Sequence, residues 1–208
     1  MIFWEKFTAL RPSSPLLRLA STVAVVAVIL SASVFVWNRL PSAAETQNAF
    51  DVHGTMGSSV TGRLFSATVT RVGIGPVVKH TGFSPRQRNI KSAGQWVVVK
   101  LTITSMSEAS KADAILGLGD KGYTPDSRLE GSTLLGAPLT PLIPATGVFV
   151  FEVSPQVLEH VRSAKLYIFY AAGQYKWDSR LVIDIPLDAE HAPHASVIAL
   201  PKTVVGKQ

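Results

Sequence analysis

Residues 95–104, QWVVVKLTIT, decide the fold predicted for this chain. Successive side chains of a strand point to opposite sides, and the apolar positions here share one face: Val97, Val99, Leu101 and Ile103. The polar positions share the other face: Lys100, Thr102 and Thr104. β-branched residues dominate the stretch, and such residues fit a half-buried, pleated surface. We therefore expect a strand at the centre of a sheet.

Short apolar stretches on both sides of this strand predict further strands. They lie at residues 65–70, 114–118, 147–153, 164–170 and 180–187, and residues 72–79 extend the first of them beyond a break at 73–76. Residues 124–146 carry four prolines and indicate a loop with one edge strand, and residues 155–161 indicate one or two helical turns. Six or seven short strands separated by turns predict an all-β fold, an immunoglobulin-like antiparallel β-sandwich over residues 60–187. Residues 188–208 show no clear pattern and are interpreted as a loosely held tail.

An uncharged apolar stretch, residues 19–37, lies near the N-terminus. At about 1.5 Å per residue, a helix of this length reaches roughly 28 Å, close to the roughly 30 Å hydrocarbon core of a bilayer. It predicts one N-terminal transmembrane helix ahead of the sandwich, with a cytoplasmic tail at residues 1–18 and a linker at residues 38–59.

Positive residues flank this stretch unequally: Lys6, Arg11 and Arg18 precede it, and Arg39 follows it. Because positive residues are retained on the cytoplasmic side, we expect the N-terminus inside and the domain outside the cytoplasmic membrane. A retained signal anchor is favoured, since the apolar stretch exceeds the about 7–15 residues usual in a signal peptide. The alternative is a signal peptide cleaved after Ala44, because residues 42–44 have the small-x-small pattern of a cleavage site.

One face of the predicted helix is formed by small residues: Ala20, Ala24, Ala27 and Ser31. Such faces let helices approach closely in lipid, so this one is a candidate contact with a membrane-protein partner in addition to the bilayer. The interpretation favoured from the sequence is that Ala and Ser are simply common in membrane spans.

Composition excludes several classes of function. The formal net charge is +6, but only 16 basic and 13 acidic residues follow residue 40. This balance does not indicate nucleic-acid binding, for which a basic stripe or an extreme pI is expected. The chain has no cysteine, so disulfides, thiolate metal sites and Cys nucleophiles are excluded.

The order of three motifs suggests a family. The strand GQWVVVKLTIT ends in a polar turn, an L-x-L-x-D-x-G-Y hairpin follows at residues 116–123, and GVFVFEVSP lies at residues 147–155. Together with the N-terminal anchor, this order resembles the uncharacterised immunoglobulin-like extracytoplasmic domains of Gram-positive, particularly actinobacterial, lipoproteins and membrane-anchored proteins. The resemblance covers residues 60–187 and implies a fold but no catalytic residues. This chain lacks the lipobox, and Ser105 stands where the family often has Asn.

Two motifs resemble sites but have simpler explanations. Residues 117–122, GLGDKG, match G-x-G-x-x-G, yet residues 123–125 cannot begin the helix that a dinucleotide site requires, and a hairpin turn explains the glycines. His191 and His194 form H-x-x-H, but Pro193 lies between them and no third ligand is near in sequence. We predict no cofactor, no metal site and no enzymatic activity.

One concentration of positive charge lies in a loop that contains Lys79, His80, Arg86, Arg88 and Lys91. Arg86, Arg88 and Lys91 are candidate residues for binding an anionic lipid or envelope polymer, with Lys91 at the bend. The interpretation favoured from the sequence is an ordinary solvated loop. The function predicted first is a non-catalytic accessory or interaction subunit of a cell-envelope or transport assembly, and the second is a module that binds an anionic ligand.

Overall fold

A computed structural model describes residues 15–37, 39, 50–81, 87–108, 110–171 and 179–206. The chain divides into two compact units, Met1–Thr46 and Gln47–Gln208. The described part of the first unit is helix α1, Pro15–Trp37, together with Arg39. Within α1, the segment Leu19–Trp37 is long and apolar enough to cross a bilayer, and a signal sequence would share these properties.

Strands dominate the second unit: β1 (Phe50–Thr55), β2 (Ser59–Thr61), β3 (Phe65–Thr81), β4 (Gln87–Ser105), β5 (Ser110–Leu118), β6 (Lys121–Tyr123), β7 (Pro138–Leu139), β8 (Ala145–Val153), β9 (Ser163–Tyr170), β10 (Ser179–Pro186), β11 (Ile198–Ala199) and β12 (Val204–Val205). A 3₁₀ turn (Ser127–Leu129) precedes β7, and a short helix, α2 (Pro155–His160), precedes β9. The first sheet has the order β1-β10-β9-β5-β6, with β7 beside β5. The second has the order β11-β3-β4-β8-β12, with β2 beside β3.

The two sheets pack face to face around one hydrophobic core. Inward residues of β3, β4 and β8 in the second sheet and of β5, β9 and β10 in the first sheet form a single buried cluster. Leu101 of β4, Phe149 of β8 and Leu116 of β5 are fully buried in it. The protein is therefore mostly β, with two sheets in a sandwich, as the alternating sequence pattern predicted.

β4 lies at the centre of the second sheet, between β3 and β8, which confirms the prediction from its sequence. Its predicted inward residues are all fully buried: Val97, Val99, Leu101 and Ile103. The opposite face differs from the prediction, because Trp96 and Val98 are buried there while Lys100 is exposed. These two residues belong to a second cluster on the outer face of the sheet, here called the outer cluster: Val78, Trp96, Val98, Leu129, Val148 and Val150.

The sandwich begins earlier than predicted. β1 lies within the predicted linker at residues 38–59 and pairs in parallel with β10. Val52 packs against the core, and a Cβ added to Gly54 would stand 2.1 Å from Cγ2 of Val60. The prediction of a linker is therefore wrong for residues 50–59, because a short, polar edge strand has too little alternation to be recognised. Except for Arg39, the rest of the predicted linker lies outside the described residues.

The predicted loose tail at residues 188–208 is also wrong for its described part. Ala192 is fully buried, β11 pairs in parallel with β3, and β12 pairs with β8. Since β3 and β8 flank β4 on opposite sides and the core fills the inner face, residues 200–203 cross the outer face of the second sheet. We call residues 193–203 the C-terminal strap.

Parallel pairing at two edges also corrects the prediction of a wholly antiparallel sandwich. β1 and β11 are the parallel strands, each added to the edge of a sheet. The inner sets β3-β4-β8 and β5-β9-β10 are antiparallel, as predicted.

Candidate functional site

A groove of about 440 Å³ lies between the outer face of the second sheet and the C-terminal strap. Residues of the sheet line one side: Arg71, Val72, Gly73, Val98, Lys100 and Val148. Residues of the strap line the other: Pro193, Ala195, Val197, Ile198, Ala199 and Pro201. No acidic residue is among these lining residues, and the volume falls within the range of roughly 300–1,000 Å³ typical of small-molecule sites.

The two cations of the groove share one face because of a β-bulge in β3. Odd positions of β3 face the core up to Val69, whereas the even positions Val72 and Ile74 face it after that. The pairing register shifts between Val69 and Arg71, which leaves Thr70 as the extra residue. Without the bulge, position 71 would point into the core. With it, Arg71 lies opposite Lys100 on the outer face.

The strap approaches β3 closely at Gly75. A Cβ added to this glycine would stand 2.2 Å from the carbonyl oxygen of Ala195. The neighbouring Ile74 binds the strap through both backbone groups: its N–H donates to the carbonyl of Pro193 at 3.1 Å, and its carbonyl accepts from the N–H of Ala195 at 2.9 Å. The 73–76 segment, which interrupts the strand pattern in the sequence, is therefore the place where the strap docks.

The described part of the predicted basic site lies on two paired arms of β3 and β4, here called the basic hairpin, rather than in a loop. β3 and β4 pair with each other here from Val77 with Lys91 to Thr81 with Gln87. Lys91 is the last paired residue of β4 before a register shift, in which residues 92–95 lie opposite Pro76 alone. The first arm, residues 77–81, contains two valines and a threonine, which favour extended structure, and Ile90 is the one residue of this kind in the second arm, residues 87–91.

The structure tests only part of the predicted trio. Lys91 is exposed, and the backbone of Arg88 continues β4. Arg86 and the side chain of Arg88 lie outside the described residues. The hypothesis that Arg86, Arg88 and Lys91 act together stays a prediction.

A charged network joins the 3₁₀ turn to the outer cluster. Arg128 donates to Oδ1 of Asp126 at 2.9 Å and to Oε2 of Glu152 at 2.7 Å, and its guanidinium lies 5.2 Å from the centre of the Trp96 ring. Oε1 of Glu152 accepts from the hydroxyl of Ser92 at 2.9 Å. The hydrogen bond from Arg128 lowers the pKa of Asp126. Both carboxylates already have fixed donors, so the network holds the turn over Trp96 rather than presenting a free acid or base.

The two histidines of the H-x-x-H pair lie around the beginning of the C-terminal strap. Nδ1 of His191 lies 2.7 Å from Oδ1 of Asp188, and this hydrogen bond raises the pKa of His191 and lowers that of Asp188. His194 bridges to Ile74 of β3. Within the described ranges, no group of three His, Asp or Glu residues could hold a metal ion.

The GLGDKG motif is a hairpin turn, as interpreted from the sequence. Leu118 pairs with Lys121 across the β5–β6 turn. Gly119 has a φ of 62°, which glycine adopts without the steric cost that a Cβ would bring.

Comparison with known proteins gives a distant structural likeness. The sequence matches no protein-family model and no curated protein. Among solved structures, the chain is similar to an uncharacterised β-sandwich protein from Clostridium difficile 630, determined by crystallography at 1.90 Å resolution. The likeness has a TM-score of 0.46 and 9% sequence identity, and covers 70% of this chain and 99% of that chain. The resemblance to the Gram-positive family stays a prediction.

Proposed function

We propose that the protein is a single-pass membrane protein that holds an immunoglobulin-like domain outside the cytoplasmic membrane. Its role is that of a non-catalytic accessory or interaction subunit of a cell-envelope or transport assembly. The observation that carries this proposal is the succession of a span-length apolar helix and a separate compact sandwich. Every described side chain of α1 is exposed, and so apolar a surface is suited to lipid rather than water.

The strand order supports an immunoglobulin-like assignment. In such domains, strands A, B and E are neighbours in one sheet, and strands C, F and G are neighbours in the other. When the strands are lettered in chain order, β3, β4 and β8 correspond to A, B and E, and they are neighbours in the second sheet. Likewise, β5, β9 and β10 correspond to C, F and G, and they are neighbours in the first sheet. Loops and sheet edges of these sandwiches commonly present partner-binding surfaces.

The membrane partner predicted from the sequence would contact the small-residue face of α1: Ala20, Ala24, Ala27 and Ser31. All four residues are exposed in the helix, so they are open to lipid or to a second helix. The excess of positive residues before the span favours a cytoplasmic N-terminus.

Protease added to intact spheroplasts is expected to remove the domain while leaving the N-terminal tail inside the cell. Immunoblots against epitopes fused to each end would show whether the domain is removed and whether the N-terminal tail is protected. Protection of the C-terminal epitope until the membrane is permeabilised would contradict the topology. A mature N-terminus at Glu45 would instead show a cleaved signal peptide and contradict the retained anchor.

A second candidate function, binding of an anionic lipid or envelope polymer, is favoured by the basic hairpin. Val77 pairs with Lys91, and positions 77 and 79 lie on one face of β3, so Lys79 and Lys91 share a face. Both lysines are exposed. Arg86 and Arg88 lie between these lysines in the sequence and contribute two further positive charges.

Liposomes that contain anionic lipid are expected to bind the fragment of residues 45–208 and to release it as salt is added, because salt screens exposed charges. The Arg86→Ala, Arg88→Ala double variant should bind at least about tenfold more weakly, since each charge-assisted hydrogen bond contributes about 1.5–3 kcal/mol where water is partly excluded. Co-sedimentation measures both effects. Equal binding by the wild type and the double variant would assign the hairpin to ordinary solvated surface.

A further inference from the structure

Two positive side chains face each other on the outer surface of the second sheet. Arg71 of β3 pairs with Lys100 of β4, and both are exposed on the groove side. Like charges directly opposite each other destabilise a sheet. Among the residues that the structure describes, no carboxylate lies within ion-pair distance of either cation. An unfavourable local arrangement of this kind is typical of a functional site.

The bulge at Thr70 is a second, independent feature of the same place. It reverses the alternation of β3 and thereby moves Arg71 from the core side to the groove side. β-bulges recur next to functional sites because they redirect a side chain.

The groove combines the two cations with an apolar floor. Val98 and Val148 lie beside Lys100 on the sheet, and Val148 is its direct partner on β8. On the strap, Val197 lines the opposite wall and is 46% exposed, so it still has apolar surface to bury. A ligand that matches this lining needs a negative head group and an apolar part next to it.

We propose that the groove binds a small amphiphilic anion, namely a carboxylate or phosphate head group attached to a short hydrocarbon chain. The planar fork of Arg71 and the ammonium of Lys100 hold the head group, which removes their mutual repulsion. The hydrocarbon chain lies against the exposed side chain of Val197 on the strap. A bare anion would leave the exposed part of Val197 in water, and a neutral apolar ligand would leave both cations unpaired.

The test uses the full chain in nanodiscs of zwitterionic lipid, with fluorine NMR to follow hexanoate that carries a terminal trifluoromethyl group. Empty nanodiscs provide the blank for partition into lipid. Saturable binding above this blank is expected, and hexyl phosphate should compete for it. Trifluoroacetate, which has the head group alone, and the amide of the labelled hexanoate, which is uncharged, should each bind at least about tenfold more weakly. Stronger competition by hexyl phosphate than by unlabelled hexanoate would identify phosphate as the preferred head group, and the reverse would identify carboxylate.

The variant Arg71→Gln, Lys100→Gln should weaken binding of the labelled hexanoate at least about tenfold. Its melting temperature should be equal to or higher than that of the wild type, because a like-charge pair has been removed. The matched control, Lys111→Gln, Lys121→Gln, neutralises two exposed lysines of the first sheet and should bind as the wild type does. The proposal is overturned by no saturable binding, by equal binding of the head group alone, by equal binding of the groove variant, or by a lower melting temperature of that variant.

Discussion

Leu101→Ala is expected to lower the free energy of unfolding of the sandwich by about 2–5 kcal/mol, the usual range for a buried leucine. Leu101 is fully buried in the middle of β4, where it pairs with Val69 of β3 and Gly147 of β8. Because strands on both sides fix the backbone of β4, the surrounding core can relax little, and most of the cavity left by the removed side chain persists. Urea unfolding of residues 45–208, followed by circular dichroism, should show a lower midpoint with an unchanged slope.

Lys100→Ala is the matched control for this substitution. Lys100 is the preceding residue in the same strand, but its side chain is exposed on the opposite face. Its replacement should change the free energy of unfolding by no more than about 0.5 kcal/mol. Equal losses for the two variants would contradict the assignment of the strand faces and the register of β4.

Alternation along residues 65–70 of β3 and 95–104 of β4 was sufficient to predict the positions of these segments and their buried faces. In β4, every second residue from Val97 to Ile103 is apolar, and a period of two has one structural explanation. The β5–β6 hairpin could likewise be predicted, because glycines at residues 117, 119 and 122 surround a tight turn. Local patterns of this kind follow from the geometry of a single strand or turn, so they can be recognised without knowing the partner strand.

The added edge strands could not be predicted, because their stability comes from partners distant in sequence. β11 and β12 each contain two residues and are held by the free edges of β3 and β8. A strand of two residues is too short to show an alternating apolar pattern. In addition, Pro193 and Pro201 make the surrounding segment resemble a tail. Only the completed sheet shows that Gly75 leaves room for the strap.

The groove also depends on contacts between distant parts of the sequence, namely on the register in which β3 pairs with β4. Arg71 and Lys100 are far apart in the sequence, and the bulge at Thr70 decides that they are neighbours. One local signal was present, since the apolar positions of β3 change from odd to even between Val69 and Val72. Such a change predicts a bulge, although it does not say which residue of β4 will lie opposite Arg71.

Trp96→Ala is expected to cost about 3–5 kcal/mol, as large a loss as a substitution in the main core. Trp96 is fully buried in the outer cluster, and its indole N–H donates to the carbonyl of Ile90 at 3.1 Å. Its ring also supports the guanidinium of Arg128, and Ile198 and Leu200 pack against the same cluster. Removal of the ring would leave a cavity beneath the turn and the strap at once.

Two companion variants separate packing from the hydrogen bond. Trp96→Phe keeps an aromatic ring but leaves the Ile90 carbonyl without this donor, so it should cost less than Trp96→Ala. Val197→Ala, in the exposed part of the strap, should change stability by no more than about 0.5 kcal/mol. Limited proteolysis of the three proteins should show faster cleavage within residues 193–203 for Trp96→Ala alone, because the strap loses its main apolar support. If Trp96→Ala were no less stable than Val197→Ala, the outer face of β4 would be solvated, as the polar half of QWVVVKLTIT first suggested, and the strap would have no cluster on which to pack.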